Sequence, residues 1–323
     1  MIRYNGYVII LAIDGGGSKT EAIALNDKAD VLGRGLAGPS NPNVVGLKSC
    51  IEAILLAARR ALKEGGLEKA DILVAGIAGA GRFKTKSLIK DSLSKTGIAK
   101  KYLIFSDAEI YLVASTRGSS GIMVNSGTGM IVLGMDDRGR IARSGGWGYL
   151  IDDEGSGFWI GREALNAVFR SLDGRGPPTL LSEEVLRFFN SEDFDDLIIK
   201  IYSSLTPTDI SKLTHVVDKL YETDGVSRDI VRRAAQELAK AVEAVRAKLN
   251  LRYPVRVYCV GGAFEMKSLL SEFERALGDK YFISKVKLSP VVGAAILGLK
   301  ELHGGKIDKR FLDKIYLECL RVG

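Results

Sequence analysis

Residues 12–20 read Ala-Ile-Asp-Gly-Gly-Gly-Ser-Lys-Thr, and the spelling of that run decides the fold. An apolar stretch, Tyr7 to Ile13, leads into it, and a second, Ala22 to Leu25, leads out toward a polar turn at Asn26-Asp27-Lys28 and the pair Val31-Leu32. About 110 residues later the pattern returns: Gly121 to Val124, then Asn125-Ser126-Gly127-Thr128-Gly129, then Met130 to Leu133, a turn at Asp136-Asp137-Arg138-Gly139, and Ile141-Ala142. Strand, glycine turn, strand, polar turn, strand therefore occurs twice, which predicts two related α/β lobes. Residues without Cβ let successive N–H groups point at one bulky anion, so two such turns suit a polyphosphate. A single Gly-Thr-Gly would read as no more than a tight hairpin; the duplication, with an acid beside one copy and hydroxyls in both, favours phosphate.

Competing phosphate motifs fail on spelling. A P-loop needs glycine directly before Lys-Ser/Thr, whereas Lys19 follows Ser18, and the segment runs on into a strand-like stretch. In Gly76-Ile77-Ala78-Gly79-Ala80-Gly81 the glycines stand in the wrong order for a dinucleotide fingerprint.

The rest of the composition narrows the class. A length of 323 residues predicts about two domains, and 46% hydrophobic with 26% charged residues is the make-up of a globular protein with substantial cores. Cys50, Cys259 and Cys319 lie far apart with no C-x-x-C pair, which excludes a disulfide framework or thiolate cage and fits a reducing, cytoplasmic setting. Tyr7 to Ile13 is too short to span a bilayer and is cut by Asp14, so it reads as a strand and no membrane partner is expected. The net charge of +7 comes from 46 Lys and Arg interspersed with 39 acids, which argues against a nucleic-acid partner.

Between the repeats, apolar spacing predicts a helix over Gly46 to Gly65, a buried strand over Ile72 to Ile77, a helix over Thr85 to Leu93 and a strand over Tyr102 to Phe105. After the second repeat it predicts helices over Arg162 to Leu172, Glu183 to Asn190, Phe194 to Ser203 and Ile210 to Tyr221, and a long one capped by Ser227 and ending at Asn250. Val255 to Val260 reads as a buried strand and Val291 to Leu299 as a small-residue helix.

In order, AIDGGGSKT at 12–20, SDAEI at 106–110, NSGTG at 125–129, VGGAF at 260–264 and SPVVGAAILG at 289–298 resemble the actin, Hsp70 and hexokinase ATPase superfamily. Within it, GPSNPNVVG at 38–46 and GGWGYLIDDEGSGFWIG at 145–161 are similar to N-acetylglucosamine kinases, archaeal broad-specificity hexokinases and the related BadF/BadG/BcrA/BcrD ATPases. The resemblance implies two ribonuclease-H-like lobes with a cleft between them: residues 1–117 with 304–323 returning to them, and residues 118–303.

It also implies roles. Gly15, Gly16, Gly17, Ser18, Lys19 and Thr20 on one side, and Gly127, Thr128 and Gly129 on the other, would donate to the triphosphate of ATP. Asp14 at a strand end would hold Mg²⁺ through water, the lesser alternative for the bare residue being a turn cap. Asp107, by itself a helix N-cap or a cleft carboxylate, would be the general base. Asn41, Gly79, Gly146, Trp147, Asp153 and Glu154, together with Asp107, would face the sugar, although Trp147 also suits a packing anchor. The loop at Gly79 supplies backbone groups but no hydroxyl. Gly261, Gly262 and Ala263 would let adenosine lie against the backbone.

The activity implied is transfer of the γ-phosphate of ATP to the 6-hydroxyl of a hexose or hexosamine (glucose, mannose, glucosamine or N-acetylglucosamine), by a homodimer. The alternative is an ATPase that activates a 2-hydroxyacyl-CoA dehydratase or benzoyl-CoA reductase type system, whose relatives hold an iron–sulfur cluster through cysteines; the three cysteines here lack that clustering. A sugar sensor without catalysis would need neither Asp107 nor the phosphate turns.

Overall fold

The computed structural model describes residues 6–320. They form two compact units, one running to Ser119 and resuming at Lys287, the other Ser120–Val286. Unit 1 opens with a meander, β1 (Ile9–Gly15), β2 (Thr20–Asn26) and β3 (Val31–Ala37), followed by α1 (Pro42–Glu64), β4 (Ala70–Ile77), α2 (Phe83–Ser94), β5 (Ala99–Ser106) and α3 (Asp107–Thr116). Unit 2 repeats the meander as β6 (Gly121–Ser126), β7 (Met130–Met135) and β8 (Ile141–Gly145). It continues through α4 (Gly157–Leu172), α5 (Leu181–Phe189), α6 (Phe194–Ser203), α7 (Pro207–Ser211), α8 (Thr214–Leu220), α9 (Gly225–Leu249), β9 (Val255–Val260), α10 (Lys267–Leu277) and β10 (Tyr281–Lys285). The chain then re-enters unit 1 with α11 (Val291–Leu302) and α12 (Lys309–Leu320).

The two sheets share one topology: β3-β2-β1-β4-β5 in unit 1 and β8-β7-β6-β9-β10 in unit 2, antiparallel across the meander and parallel at the last two pairings. The repeated sequence predicts this duplication, and the architecture is the ribonuclease-H-like one that the family resemblance implies. Parallel strands need crossover helices, and helices on both faces make the strands apolar throughout. In β1, Ile9, Leu11 and Ile13 join the core against α1, while Ile10 and Ala12 join the core formed with α3 and α11. Leu73, Ala75 and Ile77 of β4 alternate with Ile72 and Val74 in the same way, as a period of two requires.

Four expectations shift. The helix at 291–302, expected with the second lobe, belongs to unit 1, where it packs on β1, β4 and α3 and its Val291, Ala294, Ala295 and Ile296 enter that core. The first helix starts at Pro42, four residues early, with a break at Gly46 (φ 77°). Ile210 to Tyr221 is two helices, because a capping box of Thr206 and Asp209 starts α7 at Pro207. Asp224 rather than Ser227 caps α9: its carboxylate accepts from the Ser227 N–H at 2.9 Å and from the Ser227 hydroxyl at 2.7 Å. The charged acceptor is the stronger cap.

Candidate functional site

In unit 1, Gly15 of β1 lies level with Ile77 of β4, and Ile77 level with Ser106 of β5. The carboxyl ends of three parallel strands thus form one row, with Asp14 at one end of it and Asp107 at the other. Two strand spacings, about 10 Å, separate those backbones, room for a phosphoryl group and the hydroxyl that attacks it. In an α/β sheet this is the edge where ligands bind.

The turn after β1 closes through the Gly16 N–H to the Lys19 carbonyl at 2.9 Å, leaving Gly17, Ser18 and Lys19 exposed. Thr20, expected among the phosphate donors, is fully buried and donates its hydroxyl to the Gly38 carbonyl at 2.7 Å, beside Ser40 Oγ at 2.9 Å. It ties the turn to the 38–41 loop. Gly15 is also buried, its carbonyl accepting from the Ala78 N–H at 2.7 Å. The exposed part of the cradle is therefore Gly17 to Lys19.

Asp14 is half-buried among carboxylates. Burial first, then the negative charges of Asp107 and Glu21, push its pKa up to about 7, with Lys19 pulling the other way. Burial also raises Asp107. The phenol of Tyr111 is held above its usual range by burial and by Asp14. Asp107 is not the helix cap: Ser106 takes that place, in a capping box with Glu109, and Asp107 is the first helical residue. Its carboxylate accepts backbone N–H bonds, from Ala108 above all, that partly offset the rise.

Asn41 caps α1, its Oδ1 accepting from the Asn43 N–H at 3.0 Å. Gly79 has φ +79°, and a Cβ there would stand 2.5 Å from Asn41 Oδ1 and 2.7 Å from Asn43 Nδ2. Asn41, Asn43 and Gly79 thus form one polar floor at the same sheet edge as Asp14 and Asp107. Sequence reasoning missed Asn43; its signal was the repeated amide in Asn41-Pro42-Asn43.

In unit 2 the turn 127–129 closes through the Gly127 N–H to the Gly129 carbonyl at 2.9 Å. The start of α4 is docked on it, Gly157 N–H donating to the Gly127 carbonyl at 2.8 Å and Phe158 N–H to the Thr128 carbonyl at 3.2 Å. Helix and turn satisfy each other's orphan groups. The Ser126 hydroxyl donates to the Gly155 carbonyl at 2.8 Å. Asp153, expected at the sugar, is 5% exposed and at φ 75°, with Oδ1 accepting from the Met130 N–H at 3.1 Å. Burial pushes its pKa up, the Met130 N–H lowers it, and Asp152 and Glu154 raise it further. Its carboxylate braces the turn.

Trp147 does not act as a packing anchor: it is 66% exposed, with the Arg143 guanidinium 3.8 Å above its ring, next to Gly146. Glu154 is half-buried. Gly261 (φ +97°) follows β9, the neighbour of β6, and comes close to the Ser126 carbonyl; Gly262 is exposed, whereas the side chain of Ala263 is buried in the core. Only the backbone of 261–263 is thus free to face a ligand. Among the described residues no group of three or more His, Cys, Asp or Glu side chains could hold a metal directly, and no helix is long and apolar enough to cross a membrane.

Comparison with known proteins places this geometry. Residues 11–298 match the BadF/BadG/BcrA/BcrD ATPase family. The chain is 36% identical over 305 residues to N-acetylmuramic acid/N-acetylglucosamine kinase of Clostridium acetobutylicum, an alignment covering 90% of this chain and 98% of that one. It is 30% identical over 314 residues to N-acetyl-D-glucosamine kinase of Dictyostelium discoideum, again covering 90% and 98%. The crystal structure of a candidate N-acetylglucosamine kinase from Chromobacterium violaceum superposes with a TM-score of 0.71 at 22% identity, covering 90% of this chain and 99% of that one, a likeness of fold.

Proposed function

The chain belongs to the BadF/BadG/BcrA/BcrD ATPase family, and on that premise we propose that it is an ATP-dependent sugar kinase whose acceptor is an amino sugar of the N-acetylglucosamine type, phosphorylated on its 6-hydroxyl. The observation that carries this reading is the row at the sheet edge of unit 1, which puts a carboxylate at each end and an amide floor beside them. The amino sugar is favoured over a plain hexose by the relatives' acceptors and by the paired amides of Asn41 and Asn43, which can both give and take hydrogen bonds. N-Acetylmuramic acid is a second acceptor to test.

Phosphoryl transfer asks the protein mainly to position groups and hold charge. In unit 1 the exposed turn Gly17 to Lys19 is assigned to donate to the phosphates of ATP; within unit 2 the backbone of Thr128-Gly129 suits a phosphate in the same way, and Gly261 and Gly262 suit adenosine. Thr20 and Asp153 act one step back, keeping the two turns in shape. Asn41, Asn43 and Gly79 orient the sugar so that its hydroxyl meets Asp107. The Asp107 carboxylate takes the proton as the oxygen attacks the γ-phosphorus in line and ADP departs.

Mg²⁺ fits Asp14: a single half-buried carboxylate, driven toward protonation by burial and then by two acidic neighbours, gains most from a cation. Bound there through water, the ion would neutralise charge on the β- and γ-phosphates. Cytoplasmic residence and a homodimer complete the reading, the latter checked by light scattering.

The activator alternative gains nothing: Cys50 and Cys259 are buried, with thiols pushed up by burial and so poor cluster ligands, and the side chain of Cys319 lies outside the described residues. An ADP-release assay over N-acetylglucosamine, N-acetylmuramic acid, glucosamine, glucose and mannose tests the proposal. Turnover with an acetamido sugar well above the sugar-free rate is expected, and ADP release indifferent to every sugar overturns it.

A further inference from the structure

The residue assigned as base does not stand on its helix turn alone. Glu109, two positions after Asp107, turns one oxygen, Oε2, toward three donors: the Ser106 N–H at 2.6 Å, the Ser106 hydroxyl at 2.9 Å and the Lys86 ammonium at 2.6 Å. The first two complete the capping box together with the Glu109 N–H, which donates to Ser106 Oγ at 3.2 Å. A capping box needs no lysine, and a glutamine would serve it as well. Lys86 arrives from a separate element: it sits in the first turn of α2, seven residues after Gly79, and its ammonium lies 6.0 Å from the centre of the Phe105 ring. Both partners are about a quarter exposed, at 24% and 23%. That is enough burial to lift the pair above the near-zero worth of a surface salt bridge.

Two consequences follow from this placement. α2 begins directly after the loop that carries Gly79, so the Lys86–Glu109 bond ties the acceptor floor to the helix turn that carries Asp107. Misplacing a reacting group by a fraction of an ångström costs rate more than binding. Also, the charge of Glu109 adds to the proton affinity of Asp107, and an ammonium on Glu109 offsets that charge where it would otherwise act on the base.

We propose that Lys86 is a positioning residue for phosphoryl transfer, holding Glu109 against Ser106 so that Asp107 and the acceptor floor keep their relative placement, and screening the Glu109 charge from the base. This rests on the kinase reading above. Were the ion pair only structural, its removal would lower stability slightly and leave the rate per folded molecule alone.

The test is steady-state kinetics with ATP and N-acetylglucosamine on K86M, K86R, E109Q and K86M/E109Q, with thermal melting to count folded protein. Losing one charge-assisted contact of about 1.4 kcal/mol should lower the kcat of K86M about tenfold while both KM values stay within about twofold. K86R should recover most of the rate, since arginine keeps the charge. In the E109Q background, where the cap survives and the charge is gone, removing the lysine should cost less than about twofold, the non-additivity that marks a shared contact. Wild-type kcat in K86M overturns the proposal, as does an equal loss in both backgrounds. A wild-type enzyme whose ADP release responds to no sugar removes the kinase reading and this proposal with it, whereas an active enzyme with an unaffected K86M removes the role of Lys86 alone.

Discussion

The turn at 16–19 and the turn at 127–129 occupy the same place in the same topology, yet each obtains its carboxylate by a different route. In unit 1 the acid is in line: Asp14 is the last residue but one of β1, half-buried and surrounded by like charge. In unit 2 the last residue but one of the corresponding strand is the neutral Asn125, and the acid comes from a distant loop, as Asp153, with one oxygen already committed to the Met130 N–H. One fold, used twice, has thus separated two tasks. A carboxylate kept short of partners can serve a cation or a proton; a carboxylate spent on the backbone can only hold shape.

The sharpest way to break that contrast is turnover. D107N should lower kcat by about 10² to 10⁴, the usual worth of a general base, with ATP affinity unchanged, while D153N, which keeps an acceptor oxygen, should retain kcat within about tenfold. Equal losses in the two variants, read by ADP release and by nucleotide titration, would mean that the units share the chemistry. Full turnover by D107N would place the base elsewhere.

Stability against pH separates the acids next. The unfolded chain releases the Asp14 proton near 3.8 and the folded protein near 7. Between those values the folded state holds a proton that the unfolded state has lost, so stability falls as pH rises, and above about 7 the loss is complete. D14N lacks this penalty. Urea melts without nucleotide or magnesium should show wild type losing a few kcal/mol relative to D14N between pH 4.5 and pH 8. Parallel curves would deny Asp14 its raised proton affinity.

At Asp153 the effect is smaller and structural. D153A orphans the buried Met130 N–H and should destabilise by about 1 to 3 kcal/mol, with weakened ATP binding as the 127–129 turn loosens. Undiminished ATP affinity in D153A, measured by calorimetry, would show that the turn keeps its shape unaided.

How much of this was legible in the sequence follows the range of the contacts. The duplicated strand–turn–strand pattern, the phosphate-type turns and the strand-end position of Asp107 depend on neighbours in the chain, and periodicity with glycine spelling reveals them. The bond of Asp153 to Met130 spans 23 residues, as does that of Lys86 to Glu109. No local pattern announces such pairs. Thr20 reads as a phosphate hydroxyl until Gly38 and Ser40 claim it. The unit to which helix α11 belongs is not legible, because Val291-Val292-Gly293-Ala294-Ala295 specifies close packing without saying against what; the partners, α3, β4 and β1, lie about 180 to 280 residues back.

The smallest expected effect lies at the two glycines that follow equivalent strands, Gly79 after β4 and Gly261 after β9. Both have positive φ, but their surroundings differ in kind: a Cβ at Gly261 would meet the backbone carbonyl of Ser126, whereas at Gly79 it meets the amide heads of Asn41 and Asn43, which can swing aside. An alanine is therefore tolerable only at Gly79. G79A should cost about 1 kcal/mol of stability through its left-handed backbone. Displacing the two amides should raise the KM for the sugar about three- to tenfold, with kcat and the KM for ATP little changed. A G79A enzyme with unaltered KM for every amino sugar would remove Asn41 and Asn43 from the acceptor site, and with them the functional difference between these two strand ends.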